Sequence, residues 1–112
     1  MKKIEAIIRK SKYKDVKDAL HAMGVTFFTY WDVTGVGNEK KGQVYRGISY
    51  STTDIQRRYI SLVVLDEIEE KTIQTIIEAS KTGEVGDGKI FVSDIETAYR
   101  IRTEEHGNAA LS

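Results

Sequence analysis

The apolar residues of this chain repeat one order of patterns twice, and this repetition limits the folds open to it. Each half contains a β-type stretch, a helical stripe and a second β-type stretch, over residues 3–9, 13–23 and 26–36 and again over 59–65, 68–79 and 90–92. The helical stripes carry apolar residues at three- and four-residue steps, and Gly24 and Gly83 follow them where helix ends favour glycine. Two such units predict an α+β fold, the ferredoxin-like βαββαβ sandwich.

The remaining residues have weaker patterns. Residues 98–102 alternate apolar and basic side chains, which predicts a short fifth strand. The polar segment 103–112 is expected to be loose. A length of 112 residues with 40% hydrophobic content is typical of one domain, which we assign to 1–112.

Composition excludes several classes of function. Seventeen basic and seventeen acidic residues cancel, so the chain has no overall positive field to attract nucleic acid. It has no cysteine, and His21 and His106 lie far apart, so neither a disulfide framework nor a local metal chelate is predicted. Neither a signal peptide nor a run of about 18 apolar residues is present, and we expect a cytoplasmic protein.

The third predicted strand is apolar on both faces. Ile60, Leu62 and Val64 point to one side, and Val63 and Leu65 point to the other. Two helices can cover only one face of a four-stranded sheet, so we expect the chain to associate with itself through the other face. The pattern does not give the number of subunits.

Residues 38–57 form a long polar loop between predicted strands 2 and 3. Connections beyond roughly 12 to 15 residues are usually functional or disordered. Apolar side chains such as Val44, Tyr45 and Ile48 favour a binding function, since they are costly to leave in water. An inserted hairpin is the alternative, because Gly42 and Gly47 are suited to turns.

The glycine-rich segment 82–89, TGEVGDGK, connects the second helix to the fourth strand. Its glycines allow backbone N–H groups to approach an anion, and Lys89 adds a positive charge. It is not a Walker A motif, because its lysine is not followed by Ser or Thr. Arg100 and Arg102, two apart on the predicted fifth strand, would join Lys89 around a polyphosphate. A helix end with surface ion pairs explains the same residues equally well.

Four segments together resemble the PII nitrogen regulatory signal-transduction proteins: MKKIEAIIR at the start, YRGISY in the loop, TGEVGDGKIFVSDI over 82–95, and RIRT over 100–103. The resemblance covers essentially the whole chain. It implies a homotrimer that binds ATP or ADP in clefts between subunits, without being an enzyme, and senses 2-oxoglutarate together with Mg-ATP. The resemblance implies that the nucleotide is bound by Thr29, Gly35, Gly37, Asn38, Val63, Gly86, Asp87, Gly88, Lys89, Arg100 and Arg102.

By the same resemblance, residues 38–57 are the family's T-loop, which regulates a partner. Arg46 matches the arginine that plugs an ammonium channel, and Tyr50 matches the tyrosine that some members uridylylate. The expected partner is an ammonium transporter, which would recruit the protein to the inner face of the membrane, or an enzyme or regulator of nitrogen metabolism.

The effector pocket departs from the family pattern. Asn38 and Glu39 stand where Arg and Gln are usual, and Arg57 stands where a lysine binds a 2-oxoglutarate carboxylate; Lys40 completes the expected pocket. The carboxylate of Glu39 would repel a dicarboxylate, although it could contact magnesium. A paralogue that senses another small anion is therefore a second hypothesis. A third is a phosphotransferase that uses His21, for which the sequence shows no acid–base partner.

Overall fold

The computed structural model describes residues 1–45 and 48–111, but not the side chains of residues 38–53. Four strands form one sheet: β1 (Lys2–Ile8), β2 (Thr29–Tyr45), β3 (Ile48–Val64) and β4 (Lys89–Asp94). Two helices, α1 (Tyr13–Ala22) and α2 (Glu69–Ser80), pack against it. Short 3₁₀ turns lie at Lys10–Lys12, Asp66–Ile68 and Gly107–Leu111. The predicted α+β fold and its element order are confirmed.

The strands lie in the order β2-β3-β1-β4, and all neighbours are antiparallel. The sheet therefore has two ends of different composition. Gly35 of β2, Ile8 of β1 and Lys89 of β4 lie toward one end, which also carries the glycine-rich segment. We call this the glycine-loop end. The first residue of β2 and the last residues of β3 and β4 lie at the opposite end.

The core lies between the sheet and the helices. Alternate residues of β1 and β3 are buried there, as the strand pattern predicted, and helix residues pack onto them. The core consists of Ile4, Ala6, Ile8, Val16, Leu20, Ile60, Leu62, Val64 and Ile76. The opposite face of the sheet has no helix on it in the described chain, and Trp31 and Phe91 are exposed there.

Strand pairing continues into the segment predicted as a long loop. Backbone pairs join β2 and β3 from Thr29↔Ser61 to Asn38↔Thr52, and after a register shift from Gln43↔Tyr50 to Tyr45↔Ile48. The connection thus takes the form of the inserted hairpin that the sequence left open. Only positions 46 and 47 between these strands lie outside the described backbone.

The C-terminal segment differs from the prediction. No strand forms over 98–102, which the structure describes in full: Tyr99 makes an isolated bridge to His106, and residues 101–103 form a turn. The alternating pattern alone did not produce a strand here. β4 pairs with β1 on one side, and no strand of the described chain, including residues 98–102, pairs with its other side. The tail is not loose either, since it forms the 3₁₀ turn Gly107–Leu111. Neither described helix is long and apolar enough to cross a membrane.

Candidate functional site

A cleft of about 680 Å³ opens at the glycine-loop end of the sheet. The middle of β2 forms one wall, and the segment before β4 forms the other. Arg57 of β3 and Ile7 of β1 lie between these walls. The complete lining is Ile7, Gly35, Val36, Gly37, Ile55, Arg57, Glu84, Val85, Gly86, Asp87, Gly88 and Lys89.

The segment 82–89 can follow its path only because of its glycines. Gly83, Gly86 and Gly88 all have positive φ angles, of 87°, 99° and 105°. At Gly88 the space is closed as well, since a Cβ would lie 1.7 Å from the carbonyl oxygen of Ile7. The backbone at Gly88 therefore packs directly on β1, which brings the segment against the sheet.

Asp87 fixes the shape of this segment from within. Its carboxylate accepts hydrogen bonds from the backbone N–H groups of Thr82 and Gly83, both at 2.9 Å, and from the hydroxyl of Thr82. Arg9 donates a further bond from Nε at 3.1 Å. The Thr82 hydroxyl and the other donors hold the pKa of Asp87 well below its usual range. Asp87 is thus a charged anchor for the loop.

Two arginines hold the loop from outside. Arg9 donates from Nη2 to the carbonyl oxygen of Val85 at 3.0 Å, and Arg57 donates from Nη2 to that of Gly86 at 3.0 Å. Arg57 also donates from Nη1 to the carbonyl of Gln56. These bonds tie the end of β1 and the middle of β3 to the glycine-rich segment. They also concentrate positive charge beside the cleft.

Lys89 is the cation most available to a ligand. It is exposed and lines the cleft at the first position of β4. No ion pair joins it to another residue in the part of the chain that the structure describes, whereas Arg9 is paired with Asp87 at 3.1 Å. An anion that enters the cleft would meet this ammonium group without displacing a carboxylate of the described side chains.

The structure brings together only some of the predicted ligand-binding residues. Six of the predicted nucleotide contacts line the cleft: Gly35, Gly37, Gly86, Asp87, Gly88 and Lys89. Arg57, predicted to bind the effector, lines it as well. Thr29 and Val63 lie toward the other end, where Thr29 pairs with Ser61 and Val63 with Lys3. Because Thr29 precedes Gly35 by six residues, about 20 Å of strand separates them.

Arg100 and Arg102 do not line this cleft either. They lie at the turn after β4, and Arg100 pairs with Glu105 at 3.1 Å, while Arg102 is exposed. The prediction that both point the same way along a strand was wrong, because the segment turns at 101–103. The predicted contacts Asn38, Glu39, Lys40, Arg46 and Tyr50 lie outside the described side chains.

Sequence reasoning missed two residues that shape the site. Arg9 and Thr82 both bind Asp87, from 78 and five residues away. Arg9 directly follows the apolar alternation of β1, where a charged residue marks the end of a strand, but nothing local indicates its partner. His21 lies exposed on α1, with its ring 6.1 Å from that of Phe28, and it does not line the cleft.

The fold and the cleft define a class: a small ferredoxin-like domain with a glycine-rich loop, held by arginines, at one end of its sheet. The family model for "Nitrogen regulatory protein P-II" matches residues 1–105. The chain belongs to the P-II family.

Relatives of similar length support this assignment. The chain is 46% identical over 112 residues to nitrogen regulatory protein P-II 1 of Methanothermobacter thermautotrophicus, covering 99% of this chain and 97% of that one. It is 49% identical over 113 residues to P-II of Pyropia yezoensis, covering 99% and 100%. A crystal structure of Arabidopsis thaliana PII bound to citrate matches with a TM-score of 0.80 and 34% identity, covering 98% of this chain and 88% of that one.

Proposed function

We propose that this protein is a non-enzymatic signal transducer that binds ATP or ADP in the cleft and passes the nucleotide state to a partner. One observation carries the proposal: a preformed glycine-rich loop leads into Lys89, which has no ion pair among the described residues and lines a cleft of about 680 Å³. Backbone amides and a lysine are a recurring arrangement for phosphate groups. The relatives are named as regulatory proteins, which agrees with this role.

We place the complete nucleotide site between the subunits of a homotrimer. Within one chain, Thr29, Val63, Arg100 and Arg102 lie away from the cleft. A neighbouring subunit would supply these residues if the end of its sheet opposite the glycine-loop end faced the cleft. The uncovered face of the sheet supports such an assembly, because apolar surface there gains free energy by burial.

A small carboxylate is the proposed second ligand, either 2-oxoglutarate bound with Mg-ATP or another polycarboxylate. Arg57 would bind it, since a guanidinium group can form two parallel bonds with a carboxylate. To do so, Arg57 would exchange its bond to the Gly86 carbonyl for the ligand. The citrate complex of Arabidopsis PII supports an anion of this class. Magnesium would arrive with ATP, with Glu39 as a further ligand.

The hairpin of β2 and β3 is the proposed output. It starts from the wall of the cleft at Gly35–Gly37, so a ligand that favours one loop conformation would also favour one hairpin conformation. Arg46 and Tyr50 would meet the target, and Tyr50 would be the position for uridylylation. The proposed target is an ammonium transporter, which would bring a cytoplasmic protein to the inner face of the membrane, or an enzyme of nitrogen metabolism.

Calorimetry on the wild type and on Lys89→Ala tests the nucleotide site. We expect ATP and ADP to bind the wild type, and the variant to bind ATP about tenfold to a hundredfold more weakly, because a bond to a charged group contributes roughly 1.5 to 3 kcal/mol. Lys71→Ala, an exposed lysine on α2, is the matched control. Unchanged ATP affinity in Lys89→Ala would contradict the assignment.

Further titrations identify the second ligand. Adding 2-oxoglutarate and citrate separately to the Mg-ATP complex would show which carboxylate this pocket accepts. Rapid turnover of labelled ATP, or a stable phosphohistidine at His21, would instead favour the phosphotransferase hypothesis.

A further inference from the structure

The lysines differ in whether a carboxylate holds them. Four of the lysines whose side chains the structure describes form ion pairs: Lys2, Lys3, Lys10 and Lys14. Five have no ion pair with a described side chain: Lys12, Lys17, Lys71, Lys81 and Lys89. The first four of these five lie on or directly beside the helices. Lys89 differs, because it borders both the cleft and a groove of about 430 Å³ between α2 and β4.

The surroundings of Lys89 suit a phosphate group. It follows directly on Gly86, Asp87 and Gly88, whose backbone N–H groups are bonded to no acceptor in the described part of the chain. Backbone N–H groups beside glycines are common phosphate ligands. Arg57 lines the same cleft with a guanidinium group, which can form two parallel bonds with a phosphate. A phosphate bound there would lie beside an exposed amine.

We propose that Lys89 is a modification site, at which its amine takes the acyl group from a small acyl phosphate bound in the cleft. A lysine amine is a recurring nucleophile toward carbonyl carbon. The place of Lys89 next to residues 86–88 selects the donor, because the reacting carbon must lie close to the bound phosphorus atom. In an acyl phosphate a single oxygen atom joins the two. A thioester on a long carrier would instead keep its phosphate groups far from its reacting carbon.

The transfer needs no oxidant, reductant or further reactant. The Nζ atom of Lys89 attacks the carbonyl carbon, so a C–N bond forms while the C–O bond to the phosphate group breaks. Inorganic phosphate leaves with the electron pair of that bond, and the proton lost by the nitrogen passes to water. Arg57 would stabilise the departing phosphate, since its guanidinium group carries a permanent positive charge. The product is a neutral amide at Lys89.

Acylation would remove from the cleft the cation that is most available to a ligand. This consequence rests on the proposed function, in which the same ammonium group of Lys89 binds a phosphate of ATP. ATP and an acyl phosphate would then exclude each other from the cleft. The acylated protein would bind ATP about as weakly as Lys89→Ala, because both changes remove the same charge.

Acetyl phosphate tests the site, with peptide mass spectrometry to measure the acetylation rate of each lysine in the full-length protein. We expect Lys89 to react at least about tenfold faster than Lys17 and Lys71, because a bound donor is held next to the amine. The rate at Lys89 should saturate as the acetyl phosphate concentration rises, and inorganic phosphate should compete. Acetic anhydride, which carries no phosphate, is the matched reagent and should show no preference for Lys89.

Two neighbouring arginines provide matched variants. Arg57 lines the cleft, whereas Arg58 lies on the opposite face of β3 and donates to Asp32 at 2.9 Å. Arg57→Gln should slow the acetylation of Lys89 by acetyl phosphate, and Arg58→Gln should not. Neither variant should change the reaction of Lys89 with acetic anhydride.

Acetylation of Lys89 by acetyl phosphate at the rate of Lys71 would overturn the proposal. An equal preference for Lys89 with both reagents would overturn it as well, because the amine would then be reactive without a phosphate site. Calorimetry with ATP separates this inference from the proposed function. Saturable acetylation of Lys89 without ATP binding would reject only the nucleotide site, and ATP binding with no preference for Lys89 would reject only the acylation.

Discussion

Asp87 shows how one carboxylate can define a loop. It accepts hydrogen bonds from Thr82, Gly83 and Arg9, so four donor groups on three residues depend on its charge. Its side chain is 25% exposed, which limits screening by water. The loop's shape, and with it the position of Lys89, is therefore sensitive to the charge of this single residue.

Replacement Asp87→Asn should destabilise the protein by about 2 kcal/mol at neutral pH, since bonds to a charged acceptor contribute roughly 1.5 to 3 kcal/mol. The folded pKa of Asp87 lies below its unfolded value, so its contribution is full above about pH 5 and is lost as the pH falls toward the folded pKa. Urea unfolding at fixed protein concentration, from pH 7 to pH 2.5, should show the difference between variant and wild type shrinking with acid. A constant difference would contradict this role.

Gly88 and Gly83 allow the effect of space to be separated from that of backbone conformation. Both have positive φ, but a Cβ would meet nothing within 4 Å at Gly83 and would collide with the Ile7 carbonyl at Gly88. Gly83→Ala should cost about 1 to 2 kcal/mol, the usual cost of a left-handed residue. Gly88→Ala should cost at least twice as much and weaken ATP binding. Equal unfolding free energies for the two variants would show that the backbone can move away.

The helices were the elements that the sequence predicted best. Of the predicted stripe, Val16 and Leu20 of α1 are buried in the core and Met23, directly after the helix, packs against it, because residues three or four apart on a helix lie on the same side. In α2 the buried line is Thr72, Ile76 and Ser80. Ser80 could not be predicted from polarity, since its hydroxyl is satisfied within the helix by the Ile76 carbonyl at 2.6 Å.

The rest depended on partners distant in the sequence. Residues 98–102 have the alternation of a strand, but a strand forms only where it pairs with another strand, and here Tyr99 makes a single bridge to His106 instead. Six glycine-loop and β2 residues that were predicted to bind nucleotide line one cleft. Arg9 was not, because its bond to Asp87 follows only from the pairing of β1 with β4.

Ile76→Ala measures how much α2 depends on its central contact. Ile76 is 0% exposed and lies in the middle of the helix. We expect a loss of about 2 to 5 kcal/mol in the free energy of unfolding, from lost burial and the cavity left behind. Glu78→Ala, an exposed position on the same helix, should change stability by less than about 0.5 kcal/mol. Chemical denaturation compares the two variants. Similar denaturation midpoints would show that burial of Ile76 does not contribute to stability as expected.

The uncovered sheet face extends across all four strands. Ile7, Tyr59, Val63 and Phe91 lie on it, at positions that alternate with the buried core. Trp31 joins them and stacks on Tyr59 with ring centroids 4.5 Å apart at 17°. This face combines apolar rings with the hydrogen bond from Tyr59 to Glu5, so it suits contact with another protein surface.

Trp31 can report whether this face is covered in solution, since it is the single tryptophan of the chain and is 44% exposed in one copy. If copies associate through the face, its fluorescence should be poorly quenched by acrylamide at high protein concentration and more strongly quenched on dilution. Val63→Asp should give the strongly quenched state at every concentration, because a charge on the face opposes burial. Lys71→Asp adds a charge at an exposed helix position and should behave as the wild type. Strong, concentration-independent quenching in the wild type would mean that the face stays open to water.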